Sequence, residues 1–366
     1  LIYTWFCMTT SGLMILEANL HYPTGSSFDT IVKDLLGKSW NTINGLSVAF
    51  VLYILTYAYI TSGGGITQNL LNQAFSSAES AVDIGRTSGS LIFCLILAAF
   101  VWLSTKAVDR FTTVLIVGMV VAFFLSTTGL LSSVKTAVLF NSVAESEQTY
   151  LPYLLTALPV CLVSFGFHGN VPSLGKYYDR DGRRGLALVI YILWQLAVQG
   201  NLPRTEFAPV IEKGGDVSAL LEALHKYIEV EYLSVALNFF AYMAISTSFL
   251  GVTLGLFDYI ADLFKFDDSL LGRTKTTLVT FLPPLLLSLQ FPYGFVIAIG
   301  YAGLAATIWA AIVPALLAKA SRQKFPQASY KVYGGNFMIG FVMLFGILNI
   351  VAQIGANLGW FASFTG

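Results

Sequence analysis

The chain has 366 residues, 56% of them hydrophobic and 11% charged, against about 25% charged in soluble domains. A soluble fold of this length has no place to hide so much apolar surface, and the mean hydropathy of +0.72 asks for a membrane instead. Zero formal net charge gives no electrostatic footprint for a nucleic-acid partner.

A helix needs about 20 largely apolar residues to cross the hydrocarbon. In chain order the sequence predicts ten such spans, at 1–20, 43–62, 84–103, 111–131, 152–167, 186–200, 233–263, 276–291, 293–317 and 337–361. Two amphipathic stretches between them, SSFDTIVKDLLGK from Ser26 and DVSALLEALHKYI from Asp216, predict helices lying on a membrane face. The first reads with a Ser26-to-Asp29 capping pattern and a stop at Gly37. Cys7, Cys94 and Cys161 fall inside apolar runs without disulfide or metal spacing, and read as small buried hydrophobes. No cofactor is expected.

If the connections alternate sides, one set carries 15 of the 20 Lys and Arg residues, from Lys33 and Lys38 to Lys324 and Lys331. That set is cytoplasmic by the excess of positive charge, so the first span runs from outside to inside. Because the chain opens within a span, on leucine, at least one preceding span is expected. The span at 186–200 is short, about 22 Å at 1.5 Å per residue, and reads as residues left out near Gly185 or as a tilted or half-inserted segment.

The stretch VSFGFHGNVPS, 163–173, sets two glycines and a proline at the end of an apolar run and predicts a broken helix at 164–172. Hydrocarbon cannot satisfy the freed amides and carbonyls, so such a break survives only inside protein or along a watery cavity. A half-helix starting near Asn170 offers N–H groups to a carboxylate, and the carbonyls ending the preceding half attract an ammonium or a cation. That suits an amino-acid zwitterion held around Ser164, Phe165, Gly166, Phe167, His168 and Gly169, with the phenylalanines as walls for a flat side chain. A proline kink used only for packing is the alternative reading.

SGLMILEANL, GSSFDTIVKDLLGKSWNTINGLSVAFVLYILTYAYI, SFGFHGNVPSL, SFLGVTLGLFDYIADLFKFDDS and GYAGLAATIWAAIVPALLAKASRQKFP together resemble the bacterial tryptophan-specific permeases of the hydroxy and aromatic amino acid permease family, within the amino acid, polyamine and organocation superfamily. Tyrosine permeases share SFGFHG and GLFDY but resemble the first two stretches poorly. The resemblance covers almost the whole chain. It implies an all-α polytopic protein of the bacterial inner membrane, with a leucine-transporter-type five-plus-five inverted repeat and a C-terminal helix. It further implies one transport domain over 1–366, L-tryptophan as the substrate, a proton as the coupling ion, and lipid as the surrounding partner. The family's first helix, with its own Gly-rich break, has no counterpart here, and family helix seven is longer than 186–200 by about ten residues. Met119 stands where the family pattern has a lysine in helix five. A lysine amine can replace a coupling sodium and Met119 cannot, so sodium coupling, or another aromatic amino acid such as tyrosine, stays open.

Other candidates carry two readings each. Tyr53 and Tyr57, four apart, share a face and line the substrate cavity or simply pack. Ser246, Thr247 and Ser248 coordinate a cation or hydrogen-bond substrate, or bond back to the preceding turn. Gly251 and Gly255 read as close helix packing. Glu17 is a gating or an interfacial solvated group; Asp258 and Asp262 are an inner-gate network or interfacial charge. His168 relays protons or hydrogen-bonds the substrate, or it satisfies freed carbonyls. No HExxH, CxxC or GxSxG supports an enzyme, and nothing suggests the selectivity rings of a channel.

Overall fold

The structure, a computed structural model, describes residues 1–23, 26–75, 83–142, 151–166, 168, 184–228, 230–328 and 330–362. Among these the chain is all-helical, and each of the ten predicted spans overlaps a helix. Six helices are long and apolar enough to cross a membrane, spanning Lys38–Phe75, Arg86–Leu103, Thr105–Ser132, Tyr232–Phe264, Phe295–Lys324 and Gly335–Asn357. The short span expected at 186–200 is a helix over Arg184–Asn201, 18 residues and about 27 Å long. The discontinuity expected at one step between Asp181 and Ala187 is not found from Arg184 on, where the helix is continuous, and residues 181–183 lie outside the described residues. The chain divides into two compact units, within the helices Lys38–Phe75, Arg184–Asn201 and Phe295–Thr307.

The first unit contains α1 (Ile2–Asn19), α2 (Phe28–Leu36), the start of α3 (Lys38–Phe75), α7 (Leu154–Ser164), the end of α13 (Phe295–Thr307), a π-turn (Ile308–Ile312), α14 (Val313–Lys324) and α15 (Gly335–Asn357). The cap of α2 differs by one residue from the expectation. Ser27 Oγ accepts the Thr30 amide at 3.2 Å, while the Ser26 hydroxyl turns back to donate to the Pro23 carbonyl. Ile31 and Val32 on its buried face join Ala18, Val313 and Leu317 in a small core. Above that core lies an ion pair. Glu17, only 1% exposed, receives Nε of Arg322 at 2.6 Å, Nη2 at 2.9 Å and the Val332 amide at 2.7 Å. It is therefore a buried fastener between α1, α14 and the loop before α15, rather than a solvated interfacial group.

The second unit holds the rest of α3, α4 (Arg86–Leu103), α5 (Thr105–Ser132), the short α6 (Thr136–Leu139), most of α8 (Arg184–Asn201), α9 (Ala208–Glu212), α10 (Val217–His225), α11 (Glu231–Phe264) and α12 (Leu270–Gln290). The sequence reading stopped the second span before Gly63, whereas α3 runs through the Gly63–Gly64–Gly65 run to Phe75. Close approach explains this: a Cβ on Gly63 would collide with the Phe93 ring, and one on Gly64 with Ser90, so the glycines seat α3 against α4 instead of ending it. Helices α5 and α11 run antiparallel, Gly118 lying against Met243 and Gly129 against Leu233. Phe249 ties the core together, with its ring centroid 5.2 Å from that of Phe93 and 5.8 Å from that of Phe281.

Two predictions follow from the first unit. Glu17→Ala strands the Arg322 guanidinium and costs about 3–5 kcal/mol in equilibrium unfolding in mixed micelles, and adding Arg322→Met recovers much of the loss. Beside α2, Lys324 Nζ lies 2.7 Å from Asp34 and the Tyr22 hydroxyl donates to the same carboxylate. Chiefly through the Lys324 bond, and then that of Tyr22, the Asp34 carboxyl is held below its ordinary range. A depressed acid contributes stability above its unfolded pKa of about 3.9, and that stability is lost as pH falls through the folded value. Lys324→Met therefore shifts the acid-induced loss of α2 amide protection, read by hydrogen exchange, to higher pH.

Candidate functional site

In the first unit α7 carries Pro159 and ends at Ser164, where the break was predicted to begin. Two short-range bonds close it, Phe165 N–H to Leu162 O and Gly166 N–H to Val163 O, both at 3.1 Å, and the Ser164 hydroxyl donates back to Val160 O. Phe165 and His168 are buried, Ser164 and Gly166 exposed. Among the described residues a Cβ on Gly166 would meet the Val163 carbonyl of its own turn, at 3.1 Å. Phe167, Gly169 and Asn170 lie outside the described residues, as does the remainder of the predicted break.

His168 is fully buried beside the Met8 backbone of α1, and its ring meets Trp309 edge-on, with centroids 6.1 Å apart and planes at 81°. Trp309 belongs to the π-turn, an irregularity that often marks functional sites. The Ser11 hydroxyl donates to the Ala310 carbonyl of that turn. Met8 and Ser11 are one turn apart, so a single face of α1 serves both the break and the π-turn. Gly303 brings α13 close to α7, for a Cβ there would overlap the Pro159 carbonyl.

In the second unit the predicted side chains separate. The Tyr53 hydroxyl donates to Val279 O at 2.9 Å and that of Tyr57 to Phe291 O at 2.7 Å. Val279 lies four residues before Pro283, which has no N–H to return, so Tyr53 supplies the donor that the proline removed. The three consecutive hydroxyls of α11 point apart, since neighbours on a helix are turned by about 100°. Ser246 is buried, with its hydroxyl unpartnered among the described residues; Thr247 donates to Ala244 O and approaches the Met119 sulfur at 4.0 Å; Ser248 is exposed. Among the described residues a Cβ on Gly251 or Gly255 would meet nothing within 4 Å. Ser248, Gly251, Gly255, Asp258 and Asp262, at spacings of three and four, instead form one exposed stripe of small and acidic residues. Asp262 pairs with Lys265 at 2.7 Å, both more than three-quarters exposed.

Sequence reading missed three arginine- or tryptophan-centred features. Arg86 pairs with the fully buried Asp216, donates to Thr61 O at 2.8 Å and lies over the Tyr293 ring. Asp216 in turn caps α10 by accepting the Ser218 amide at 3.0 Å. Arg273 closes α4 by donating to Val101 O and Trp102 O at 2.9 and 2.8 Å. A lone arginine in the sparse outer set was a signal for the first; nothing local marked the π-turn that holds Trp309.

Removing the Tyr53 hydroxyl separates its two readings. Tyr53→Phe leaves Val279 O unpaired and costs about 1–3 kcal/mol in unfolding, with any solute affinity of the protein unchanged. Altered affinity at unchanged stability would make Tyr53 a cavity-lining residue instead.

Residues 1–353 match the tryptophan/tyrosine permease family. The chain is 97% identical to a tryptophan-specific transport protein of Haemophilus influenzae, over all of this chain and 90% of that protein. That alignment has 375 positions against 366 residues here, a difference of 9 that only the relative fills. Identity is 54% to a tryptophan-specific transport protein of Shigella flexneri, over 97% of this chain and 86% of that one. It is 42% to a tyrosine permease of Enterobacter agglomerans, over 93% and 83%. A multi-pass membrane protein and not an enzyme, the chain belongs to the tryptophan/tyrosine permease family.

Proposed function

We propose that this protein is a secondary active symporter that imports tryptophan across the bacterial inner membrane, driven by protons, with both units acting as one transport domain around the break after Ser164. The 97% identity to a tryptophan-specific transport protein carries the choice of substrate. The end of α7 inside an apolar run, with exposed Ser164 and Gly166 next to buried Phe165 and His168, supports the choice of site. At such an end the chain gives up regular hydrogen bonds that lipid cannot replace, which suits a cavity for a zwitterion. The stripe from Ser248 to Asp262 supports a polar path, because small and acidic residues on a membrane-spanning helix are poorly matched to lipid. Alternating access, the inverted repeat and the inner-membrane setting belong to the same reading by family.

His168 is the proton-relay candidate of this reading. The neutral Met119 in the middle of α5, close to the Thr247 hydroxyl, keeps sodium coupling as the competing arrangement. Purified protein in liposomes, with pH and sodium gradients set independently, tests it: tryptophan accumulates against its gradient when the outside is acidic and is indifferent to sodium. Accumulation that follows sodium alone overturns proton coupling, and none under either gradient overturns the symporter.

Two variants probe the site itself. Gly166→Leu places a side chain at the exposed end of α7, so it abolishes uptake while inserting normally. His168→Ala loses the dependence on the pH gradient while keeping tryptophan binding. Accumulation that still tracks the gradient would make the histidine structural.

A further inference from the structure

Arg86, the first residue of α4, reaches three other parts of the second unit at once. Its Nη2 donates to Thr61 O of α3 at 2.8 Å and pairs with the Asp216 carboxylate, while the guanidinium carbon stands 4.6 Å from the centre of the Tyr293 ring. Asp216 caps α10, so the pair ties the start of that helix to α3 and α4. The turn just before it, Gly214–Gly215, joins α9 to α10 with φ of +63° and +72° and presses on the start of α13. Gly214 O accepts the Val296 amide at 3.2 Å, and a Cβ on Gly214 would overlap the Tyr293 carbonyl. Leu221 and Leu224, on the second half of α10, belong to the apolar core of the unit. The α9–α10 hairpin is therefore anchored by apolar packing at one end and held by charge at its glycine tip.

Resting on the tryptophan-transport reading, we propose that Arg86 is a positioning residue of the transport cycle: with Asp216 it forms an ionic clasp that shuts the hairpin tip onto α3 and the start of α13, and that releases in each turnover. The chemistry of the contact suits release. The Arg86 side chain is 12% exposed and that of Asp216 0%, so closing strips water from both charges at a cost that offsets much of their attraction. Opening gives that water back, whereas an apolar clasp would expose hydrocarbon with nothing in return. Two adjacent glycines in the left-handed region give the tip the backbone freedom to move. The clasp acts through α13, because the tip satisfies an amide of its first turn and the same helix carries Gly303 to α7.

A covalent lock tests it. A Cβ at position 65 would lie 2.8 Å from Ser218 Oγ, with the movable end of Arg86 as the other neighbour, so cysteines at 65 and 218 stand within disulfide reach when the clasp is shut. In liposomes, oxidising Gly65→Cys/Ser218→Cys lowers the maximal rate of tryptophan uptake about twentyfold and reduction restores it, while the same oxidant leaves the wild type, with its own cysteines, unchanged. Uptake at the full rate with the disulfide confirmed by mass spectrometry overturns the clasp and leaves tryptophan transport standing. Should the reduced pair not fold or transport, a second experiment carries the test. Asp216→Asn, still able to cap α10, speeds maleimide labelling of Ser218→Cys about tenfold over the background of the native cysteines. Arg86→Lys, which keeps the charge and loses the planar fork, falls between the two. Labelling no faster than in Ser218→Cys alone overturns the proposal. A wild-type protein that carries no tryptophan overturns the transport reading and this one with it.

Discussion

Inside hydrocarbon every backbone amide and carbonyl must find its partner within the protein, and the departures from regular helix in this chain are built around that constraint. Where Pro283 removes a donor from α12, Tyr53 reaches across from α3 to Val279 O, and at the end of the same helix Tyr57 takes Phe291 O. Ser11 meets the Ala310 carbonyl displaced by the π-turn, Arg273 takes the last carbonyls of α4, and Asn201 donates to Leu130 O at 2.8 Å. Hydroxyls, a guanidinium and an amide thus act as substitutes for backbone donors. The polar side chains most visible in the apolar spans are largely spent in this way.

The same economy governs charge. Among the described residues each unit holds one carboxylate removed from solvent, Glu17 at 1% exposure and Asp216 at zero, and each is met by an arginine. Neither arginine serves its carboxylate alone. Arg322 reaches toward the Val332 carbonyl and Arg86 donates to Thr61 O, so each planar fork joins two parts of the chain at once. Such pairs add little net stability over an apolar substitute, yet they specify which segments meet. The exposed Asp262–Lys265 pair has no comparable role, since a solvated ion pair is worth little.

Against this background the end of α7 differs in kind. Its two closing bonds are local, and Ser164 and Gly166 remain open to the surroundings beside a buried histidine and phenylalanine. Small and acidic residues gather on one exposed side of α11, a helix long and apolar enough to cross a membrane.

Composition and hydropathy by themselves determined that the chain is helical and crosses a membrane, and where α7 stops, because a run of apolar residues and a glycine–proline interruption are local properties of the chain. The stop of α7 at Ser164, where the break was expected to begin, was legible from its own residues. What Tyr53, Tyr57, Glu17 and the hydroxyls at 246–248 touch was not legible, and only the tertiary structure decided it. Glu17 meets Arg322 over 305 residues of chain, and Tyr53 meets Val279 over 226. The span read at 43–62 stopped short of the Gly63–Gly65 run, which is a contact surface, whereas Gly251 and Gly255 looked like a contact surface and have nothing within 4 Å of a built Cβ among the described residues. A glycine makes close approach possible but does not say which helix approaches, and a polar group in a membrane must have a partner without its sequence naming one; packing supplies both answers.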